Sequence, residues 1–272
     1  MAASQLEKIA RFRALHAGDT FVIANAWDAG SAKILAGMGF PALATSSGAC
    51  AGILGRRDGQ VSRDEALAHA RAVVDATDLP VSADLEKGFA DAPQDAAETY
   101  RLAAGIGLAG ATIEDATGDA GEPIFAFDHA VARVAAAVAA ARATGTGFVL
   151  TARTENFVRN RPDLEDTIRR LKAFEAAGAD VLMAPGLPDL EAVRAVCAAL
   201  ERPFNFMAGI PRRSFTVPDL AACGVRRVSL ATSLYRAAMT GLIAAAREVQ
   251  GAGTLGYVDT AVPTGEINAY FG

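Results

Sequence analysis

The feature that most constrains the fold of this chain is an alternation of short apolar or β-branched runs with longer amphipathic stretches. Turn or capping residues bound each short run, as expected of buried strands rather than helices. The predicted strands are 21–25, 42–46, 81–84, 111–114, 148–153, 181–184, 204–207 and 227–230. Eight strands of this kind, each followed by a helix, predict an α/β fold with a parallel sheet that closes into a (β/α)8 TIM barrel.

The stretches between the strands carry the signals of helix ends. Ser62 is followed three residues later by Glu65, which is the pattern of a capping box. The predicted helices are 29–38, 62–76, 93–107, 128–143, 163–177, 189–200, 217–223 and 234–249. Glycines stand where a helix must turn into the next strand with positive φ, at Gly39, Gly107, Gly178 and Gly224. A doubly wound open sheet is disfavoured because no Gly-x-Gly-x-x-Gly follows the first strand.

Composition narrows the possible partners and the compartment. The 272 residues include 26 Lys and Arg against 31 Asp and Glu, so the chain lacks the basic excess that binding to nucleic acid or to an anionic membrane requires. Three cysteines without CxxC spacing argue against a disulfide framework, and no apolar run predicts a signal peptide or a membrane span. We therefore expect a cytoplasmic protein. Residues 1–250 are predicted to form one barrel domain, and 251–272 a tail that packs on the barrel or on a neighbouring subunit.

Charged residues cluster at the predicted carboxyl ends of neighbouring strands. Asp84 and Glu86 follow the third strand, Glu114 the fourth and Arg153 the fifth, while Asp58 lies in the loop after the second. Active sites of TIM barrels lie at this end, and carboxylates that converge there repel one another unless a cation is present. Oxygen ligands without histidine or cysteine favour Mg²⁺ or Mn²⁺. The alternative is that these acids only cap loops or form structural ion pairs with Lys87 and Arg153.

Other residues in the same region suit an anionic substrate. Arg153 has the planar guanidinium that grips a carboxylate with two parallel hydrogen bonds. Ser46, Ser47 and Gly48 form a predicted turn whose hydroxyl and N–H groups could hold an oxyanion. Asn205, on the seventh strand, is a candidate for a further polar contact with substrate.

Short motifs accompany these residues: NAWD at 25–28, SSG at 46–48, SADLEKGF at 82–89, TIED at 112–115 and TARTE at 151–155. Together they resemble the isocitrate lyase and phosphoenolpyruvate mutase superfamily, and the resemblance covers nearly the whole chain. It implies a Mg²⁺-dependent (β/α)8 barrel that acts on small keto or hydroxy acids. It also implies a homo-oligomer, a dimer of dimers, in which the eighth helix is exchanged between paired subunits.

The resemblance also implies roles for individual residues. Asp84 would bind Mg²⁺ directly or through water, and Glu86, Glu114 and Asp58 would complete a mostly water-mediated shell. Arg153 would hold the substrate carboxylate and, with Asp58 and Glu114, take part in catalysis. The turn at 46–48 would bind the other end of a pyruvate-like unit. The shared chemistry is stabilisation of an enolate as a C–C or P–C bond breaks.

Departures from the family pattern leave the acid/base residue and the substrate open. The lyases carry a Lys-Lys-Cys-Gly-His lid after the fourth strand, but residues 116–123 read ATGDAGEP. Pro185 follows the sixth strand where the lyases have a glutamate, and Glu86 stands for the usual aspartate. The spacing does not distinguish Lys87 from Glu155 as the proton donor.

The predicted function is a Mg²⁺-dependent lyase that breaks a C–C bond in a small 2-oxo or 2-hydroxy dicarboxylate, like an oxaloacetate decarboxylase or a methylisocitrate lyase. One alternative is P–C chemistry, as in phosphonopyruvate hydrolase or phosphoenolpyruvate phosphonomutase. Another is a barrel that binds a keto acid without turning it over, which the missing lid residues suggest. Arg212 and Arg213, after the seventh strand, could reach a second acidic group.

Overall fold

The structure, a computed structural model, describes residues 3–211, 213 and 215–271. Its strands are β1 (Phe21–Asn25), β2 (Leu43–Ala44), β3 (Val81–Asp84), β4 (Gly110–Glu114), β5 (Val149–Arg153), β6 (Val181–Met183), β7 (Phe204–Met207) and β8 (Arg227–Ser229). All neighbours are parallel and pair in chain order, and β8 pairs with β1 through Phe21 and Arg227. The closed eight-stranded barrel predicted from the alternation is confirmed.

Helices cover the outside of this barrel. They are α1 (Gln5–Ala17), α2 (Ala29–Gly37), α3 (Ser47–Ile53), α4 (Arg63–Asp75), α5 (Pro93–Gly105), α6 (Phe127–Ala143), α7 (Leu164–Ala176), α8 (Leu190–Ala199), α9 (Val217–Ala222), α10 (Ser233–Gly251) and α11 (Thr264–Ala269), with a 3₁₀ helix η1 (Gly256–Asp259) before α11. Four of these elements were not predicted from the sequence: α1, α3, α11 and η1. The predicted turn at 46–48 is wrong in detail, because α3 begins there.

The helix ends follow the predicted chemistry. The Ser62 hydroxyl accepts from the Glu65 N–H, and the Glu65 carboxylate accepts from the Ser62 N–H, so the capping box is present. The glycines predicted at helix ends have φ between 88° and 101°. Only glycine adopts such angles without steric cost, which allows each helix to reverse directly into the next strand.

Helix α1 closes the amino end of the barrel. Its Ile9 and Phe12 are buried against residues at the start of strands, among them Phe21, Val149 and Val181. A capping box from Ser4 and Glu7 begins this helix. The interior of the barrel is therefore sealed at its base and open at the carboxyl ends of the strands.

None of the residues of the long helix α10 is buried, and the same holds for the short α11 that follows it. Leu242 and Ile243 are 61% and 48% exposed, although α10 is the eighth helix of the barrel sequence. After α10 the chain returns to the barrel, where the Tyr270 ring lies against Gly37 of α2. Within the described part of the chain, no helix has both the length and the apolar character needed to cross a membrane.

Candidate active site

Three charged residues end consecutive strands at the open mouth of the barrel. Asp84 ends β3, Glu114 ends β4 and Arg153 ends β5, and Glu114 and Arg153 are register partners. Asp84 and Arg153 line the cavity inside the barrel, while Glu114 and Arg153 line a second cavity of about 560 Å³ at the mouth. Arg153 therefore lies between the two cavities, and the structure brings these three predicted residues together.

Arg153 is the centre of an ion-pair cluster. It contacts Glu114, lies 2.8 Å from Glu155 Oε1 through Nε, and is 3.6 Å from Asp84 Oδ1. Burial by itself would lower the pKa of Arg153, but Glu155, Asp84 and the further acids outweigh burial and raise it. Arg153 Nε and Glu155 Oε1 lack the alignment of a hydrogen bond. Charge rather than directed hydrogen bonding therefore holds this guanidinium.

Asp84 is fixed as a carboxylate by several donors. It accepts from the backbone N–H of Ser47 and of Glu86, each at 3.3 Å, and from Thr112 Oγ1 at 3.1 Å. Burial would raise the pKa of Asp84, but Arg153 and these hydrogen bonds outweigh burial and hold the pKa below its usual value. The side chain is therefore ionised and held in one orientation.

Glu86 has the opposite environment. Its backbone adopts a left-handed φ of 50°, which is uncommon for a residue with a side chain, and its carboxylate accepts no hydrogen bond from the described residues. Burial, with the nearby charges of Asp84 and Asp58, raises the pKa of Glu86 to about 7. Asp58 shares the mouth cavity with Glu86. Glu86, one of the acids predicted beside Asp84, is therefore only partly compensated, and Asp58 is close enough to act on it.

These acids fit a hard divalent cation. A positive ion would offset the repulsion among Asp58, Asp84 and Glu86, and the side chains around the mouth offer oxygen atoms. Among the described residues, no three His, Cys, Asp or Glu come together as a direct ligand group. The arrangement therefore fits an ion such as Mg²⁺ that keeps several of its waters, rather than a Zn²⁺ site of protein ligands alone.

The 46–48 segment lies beside this cluster. The Ser46 side chain lines the inner cavity and caps no N–H of α3, whereas Ser47 lines the mouth. A Cβ at Gly48 would lie 2.9 Å from Thr232 Cγ2 and 3.3 Å from Asp58 Oδ2. A larger residue at position 48 would push α3 away from Thr232 and Asp58, so glycine is required for this close packing.

Further charged residues flank the mouth. Arg159 is 42% exposed, lies 3.5 Å from Glu114 Oε1 and bonds Glu155. Lys87 Nζ donates to Asp91 and to the carbonyl of Thr117, each at 2.6 Å. The Lys87 contact ties the β3 loop to the short loop after β4, where the family lid would lie. Both candidate proton donors, Lys87 and Glu155, are therefore engaged in contacts.

A histidine also lies near the acids, although the prediction placed no histidine at a strand end. His69 of α4 lines a small buried space together with Asp84, Glu86 and Cys50. Its Nε2 is 2.8 Å from the carbonyl of Trp27, and burial lowers the pKa of His69, so the ring is neutral. Burial, followed by the nearby acids, raises the pKa of the Cys50 thiol to about 11, so Cys50 is not a nucleophile.

The inner cavity has a polar floor. Asn205 of β7 is fully buried, and its side chain bonds Arg227 and Ser229 of β8. The sequence analysis did not predict a role for Arg227. A charged residue within a strand that is expected to be buried could have indicated one. Of the two arginines predicted after the seventh strand, Arg213 donates to the carbonyl of Gly186, whereas Arg212 lies outside the described residues.

Comparison with known proteins adds to this geometry. The family model described as phosphoenolpyruvate phosphomutase matches residues 12–250. A solved structure from Burkholderia cenocepacia J2315, provisionally named a lyase/mutase, is 48% identical with a TM-score of 0.96, covering 98% of this chain and 96% of that one. An oxaloacetate decarboxylase of Bradyrhizobium diazoefficiens is 30% identical over 76% of this chain and 72% of its own length. An oxaloacetate acetylhydrolase solved with its product oxalate is 25% identical with a TM-score of 0.88, covering 97% of this chain and 94% of that one.

Proposed function

Because this chain belongs to the isocitrate lyase and phosphoenolpyruvate mutase superfamily, we propose that it is a Mg²⁺-dependent lyase. It breaks a C–C bond in a small 2-oxo or 2-hydroxy dicarboxylate. Decarboxylation of a 2-oxo acid releases a pyruvate-type enolate, whereas cleavage of a 2-hydroxy acid releases pyruvate itself and leaves the enolate on the other product. Oxaloacetate is the first substrate to test, because its decarboxylation does not need the cysteine and histidine of the longer lids.

The convergence of Asp84, Glu114 and Arg153 from three consecutive strands carries this proposal. Around them, Glu86 and Asp58 add negative charge that the protein compensates only in part. A site that served structure alone would pair these groups with hydrogen-bond donors, as happens for Asp84. The Glu86 carboxylate accepts no hydrogen bond from the described residues, and its position at the open end of the barrel instead suits a ligand.

Each part of the site has a task in this reaction. Arg153 binds a substrate carboxylate, because its guanidinium borders both cavities and is not locked by aligned hydrogen bonds. Asp84 and Glu86, with Glu114 and Asp58 around them, would hold Mg²⁺ largely through water. The ion, when bound, supplies Lewis-acid polarisation of the keto group. The Ser46 hydroxyl contacts the pyruvyl end of the substrate in the inner cavity, which Asn205 also lines.

P–C bond chemistry is the second candidate. The family model that matches this chain is described by a phosphomutase activity, and Mg²⁺ with an arginine also suits a phosphonate. The short loop 116–123 favours the C–C reaction. Its Thr117 hydroxyl donates to the carbonyl of Glu122, and its Thr117 carbonyl accepts from Lys87, so neither group is free to bind a phosphonate.

The test is product release from oxaloacetate, 2-methylisocitrate and phosphonopyruvate in parallel, with and without Mg²⁺. Pyruvate, phosphate and oxalate are quantified in each reaction. Arg153→Ala is the control, since it subtracts decarboxylation driven by free metal. Pyruvate release from either carbon substrate above that background is the expected result.

The other outcomes separate the alternatives. Pyruvate with phosphate from phosphonopyruvate would establish P–C hydrolysis, and oxalate from oxaloacetate would establish hydrolytic cleavage instead of decarboxylation. Absence of product from all three substrates would overturn the simplest lyase assignment and favour a rearrangement or a keto-acid binding protein.

The proposal includes a homo-oligomer. Apolar residues of α10 such as Leu242 and Ile243 are exposed, and a second copy of the chain would cover them. The tail 251–272 would then pack on both its own barrel and the neighbouring subunit. Light scattering checks this point: we expect a multiple of the 28.0 kDa chain mass, and a smaller mass for Leu242→Glu. A wild-type mass equal to one chain would contradict it.

A further inference from the structure

The floor of the inner cavity holds a buried cation without an acidic partner. Arg227 is 3% exposed, and its side-chain contacts among the described residues are all with neutral groups. Burial lowers the pKa of Arg227 to about 9, which leaves the guanidinium charged at neutral pH. Burying an unpaired charge costs roughly several kcal/mol of folding free energy. A core that served structure alone would therefore favour an apolar residue at this position.

Each nitrogen of the Arg227 guanidinium faces a neutral acceptor. Nε donates to Asn205 Oδ1 at 2.7 Å, and Nη2 donates to Thr151 Oγ1 at 3.0 Å. Nη1 faces His16 Nε2 at 3.3 Å. His16 Nδ1 lies 2.8 Å from the carbonyl of Phe12, which can only accept, so Nδ1 carries the proton and Nε2 is an acceptor.

This arrangement sets the direction of a hydrogen-bond chain. A guanidinium only donates, so the side-chain amide of Asn205 must turn its oxygen toward Arg227. The amide nitrogen of Asn205 then donates to Ser229 Oγ at 2.9 Å. Because Ser229 Oγ accepts there, its own proton is free to donate elsewhere. Ser229 and Asn205 both line the inner cavity.

We propose that Arg227 is a positioning residue that acts through Asn205 to make the Ser229 hydroxyl a donor to an oxyanion in the inner cavity. The ligand is the carboxylate or enolate oxygen of the keto acid, so this inference rests on the proposed function. An apolar residue in place of Arg227 would leave the orientation of the Asn205 amide undefined.

The experiment is a double-mutant cycle on oxalate binding. Oxalate is used as a stable dianion, and its dissociation constant is measured by calorimetry in the presence of Mg²⁺. Ser229→Ala and Arg227→Met each raise the dissociation constant about tenfold, the loss of one hydrogen bond to a charged group. The double variant shows no further loss, because both changes remove the same donor. Arg227→Lys, which keeps the charge and the donor character, stays within about threefold of wild type.

Controls separate this role from a structural one. Phe174→Leu alters a fully buried residue of α7 outside the chain of hydrogen bonds, and it lowers the melting temperature without changing oxalate affinity. Should Arg227→Met fail to fold, a cycle between Asn205→Ala and Ser229→Ala replaces it, with the same expected absence of additivity.

The inference is overturned if Arg227→Met folds and binds oxalate like wild type, if the effects of the two substitutions multiply, or if the wild-type protein does not bind oxalate. Failure of the proposed function is a different result, namely oxalate binding that depends on Arg227 in a protein that turns over none of the three substrates.

Discussion

The two ends of the barrel interior treat charge in opposite ways. At the mouth, Asp58, Asp84, Glu86 and Glu114 surround Arg153, and negative charge exceeds what the protein compensates. At the base, Arg227 has no carboxylate partner among the described residues, yet each nitrogen of its guanidinium faces a neutral acceptor. The mouth is open, whereas α1 seals the base with Phe12.

This difference distinguishes groups that maintain the fold from groups available for ligands. Buried polar groups in a stable core are hydrogen-bonded, because an unpaired one loses its hydration without compensation. Thr151, Asn205 and His16 follow this rule around Arg227. Glu86 does not follow it, and neither do Arg153 Nε and Glu155 Oε1. Substitutions at the two ends should therefore separate effects on activity from effects on stability.

The largest expected effect is on activity at the mouth. Arg153→Ala should lower kcat/KM for the active substrate about 1000-fold, because it removes the charged donor pair for the substrate carboxylate. Arg153→Lys should recover little, since an ammonium cannot form the two parallel hydrogen bonds. Steady-state pyruvate release measures both variants. A decrease of less than tenfold for Arg153→Ala would place the substrate elsewhere.

The next largest effect concerns the partly compensated acid. Glu86→Gln should lower Mg²⁺ affinity about 10–100-fold, as for other residues that orient a metal through water. Without Mg²⁺ the same variant should melt about 2 °C higher than wild type, because it removes repulsion from Asp84 and Asp58. Thermal melting across a Mg²⁺ titration gives both values. A lower melting point without the ion would show that Glu86 stabilises the fold.

At the base, acid should reduce stability through His16. Burial, followed by the Arg227 charge, lowers the pKa of His16 to about 3, compared with about 6.5 in the unfolded chain. Below pH 6.5 the unfolded chain binds a proton at His16 that the folded protein excludes. The contribution of the neutral His16 ring to the unfolding free energy is therefore complete above pH 6.5 and is lost as the pH falls toward 3.

Between pH 7 and pH 5 this effect amounts to about 2 kcal/mol of unfolding free energy. Urea unfolding measures this effect. Between pH 7 and pH 5 the unfolding free energy of His16→Gln should fall by about 2 kcal/mol less than that of wild type, with the urea m-value unchanged. Equal decreases in wild type and variant would mean that His16 is protonated in the folded protein.

The smallest effect is expected at the rim of the mouth. Arg159 is 42% exposed and pairs with Glu155 and Glu114 across the entrance. Exposed ion pairs contribute about 0–1 kcal/mol, so Arg159→Ala should change the melting temperature by no more than about 3 °C. Its effect on kcat/KM should stay within about tenfold, compared with the much larger loss at Arg153. A loss as large as that of Arg153→Ala would show that both arginines bind substrate.

The sequence predicted the fold well because barrel formation depends on patterns that are local in the chain. Each strand and helix has its own periodicity, and residues such as Gly178 and Ser62 mark the ends. The charged residues at the mouth were also predictable, because parallel strands bring their carboxyl ends to one edge. The position of Asp84 at the end of β3 directly gives its place beside Glu114 and Arg153.

What the sequence did not predict depends on contacts between distant residues. Asn205 and Arg227 are register partners on β7 and β8, but His16 reaches Arg227 only because the barrel closes and α1 docks at its base. His69 comes near Asp84 because α4 packs behind the acid pair. Hydrogen-bond partners are also invisible in the sequence: of two acids two positions apart, Asp84 accepts three hydrogen bonds and Glu86 accepts none from the described residues.

The most direct test of the account is to locate a cation and an anion together in the folded protein. Crystals grown with Mn²⁺ and oxalate would be measured at a wavelength where manganese scatters anomalously. We predict an anomalous peak at the mouth near Asp84 and Glu86, with oxalate contacted by Arg153. A peak at the base of the barrel or on the outer surface, with the mouth empty, would contradict the central claim that the partly compensated acids mark the active site.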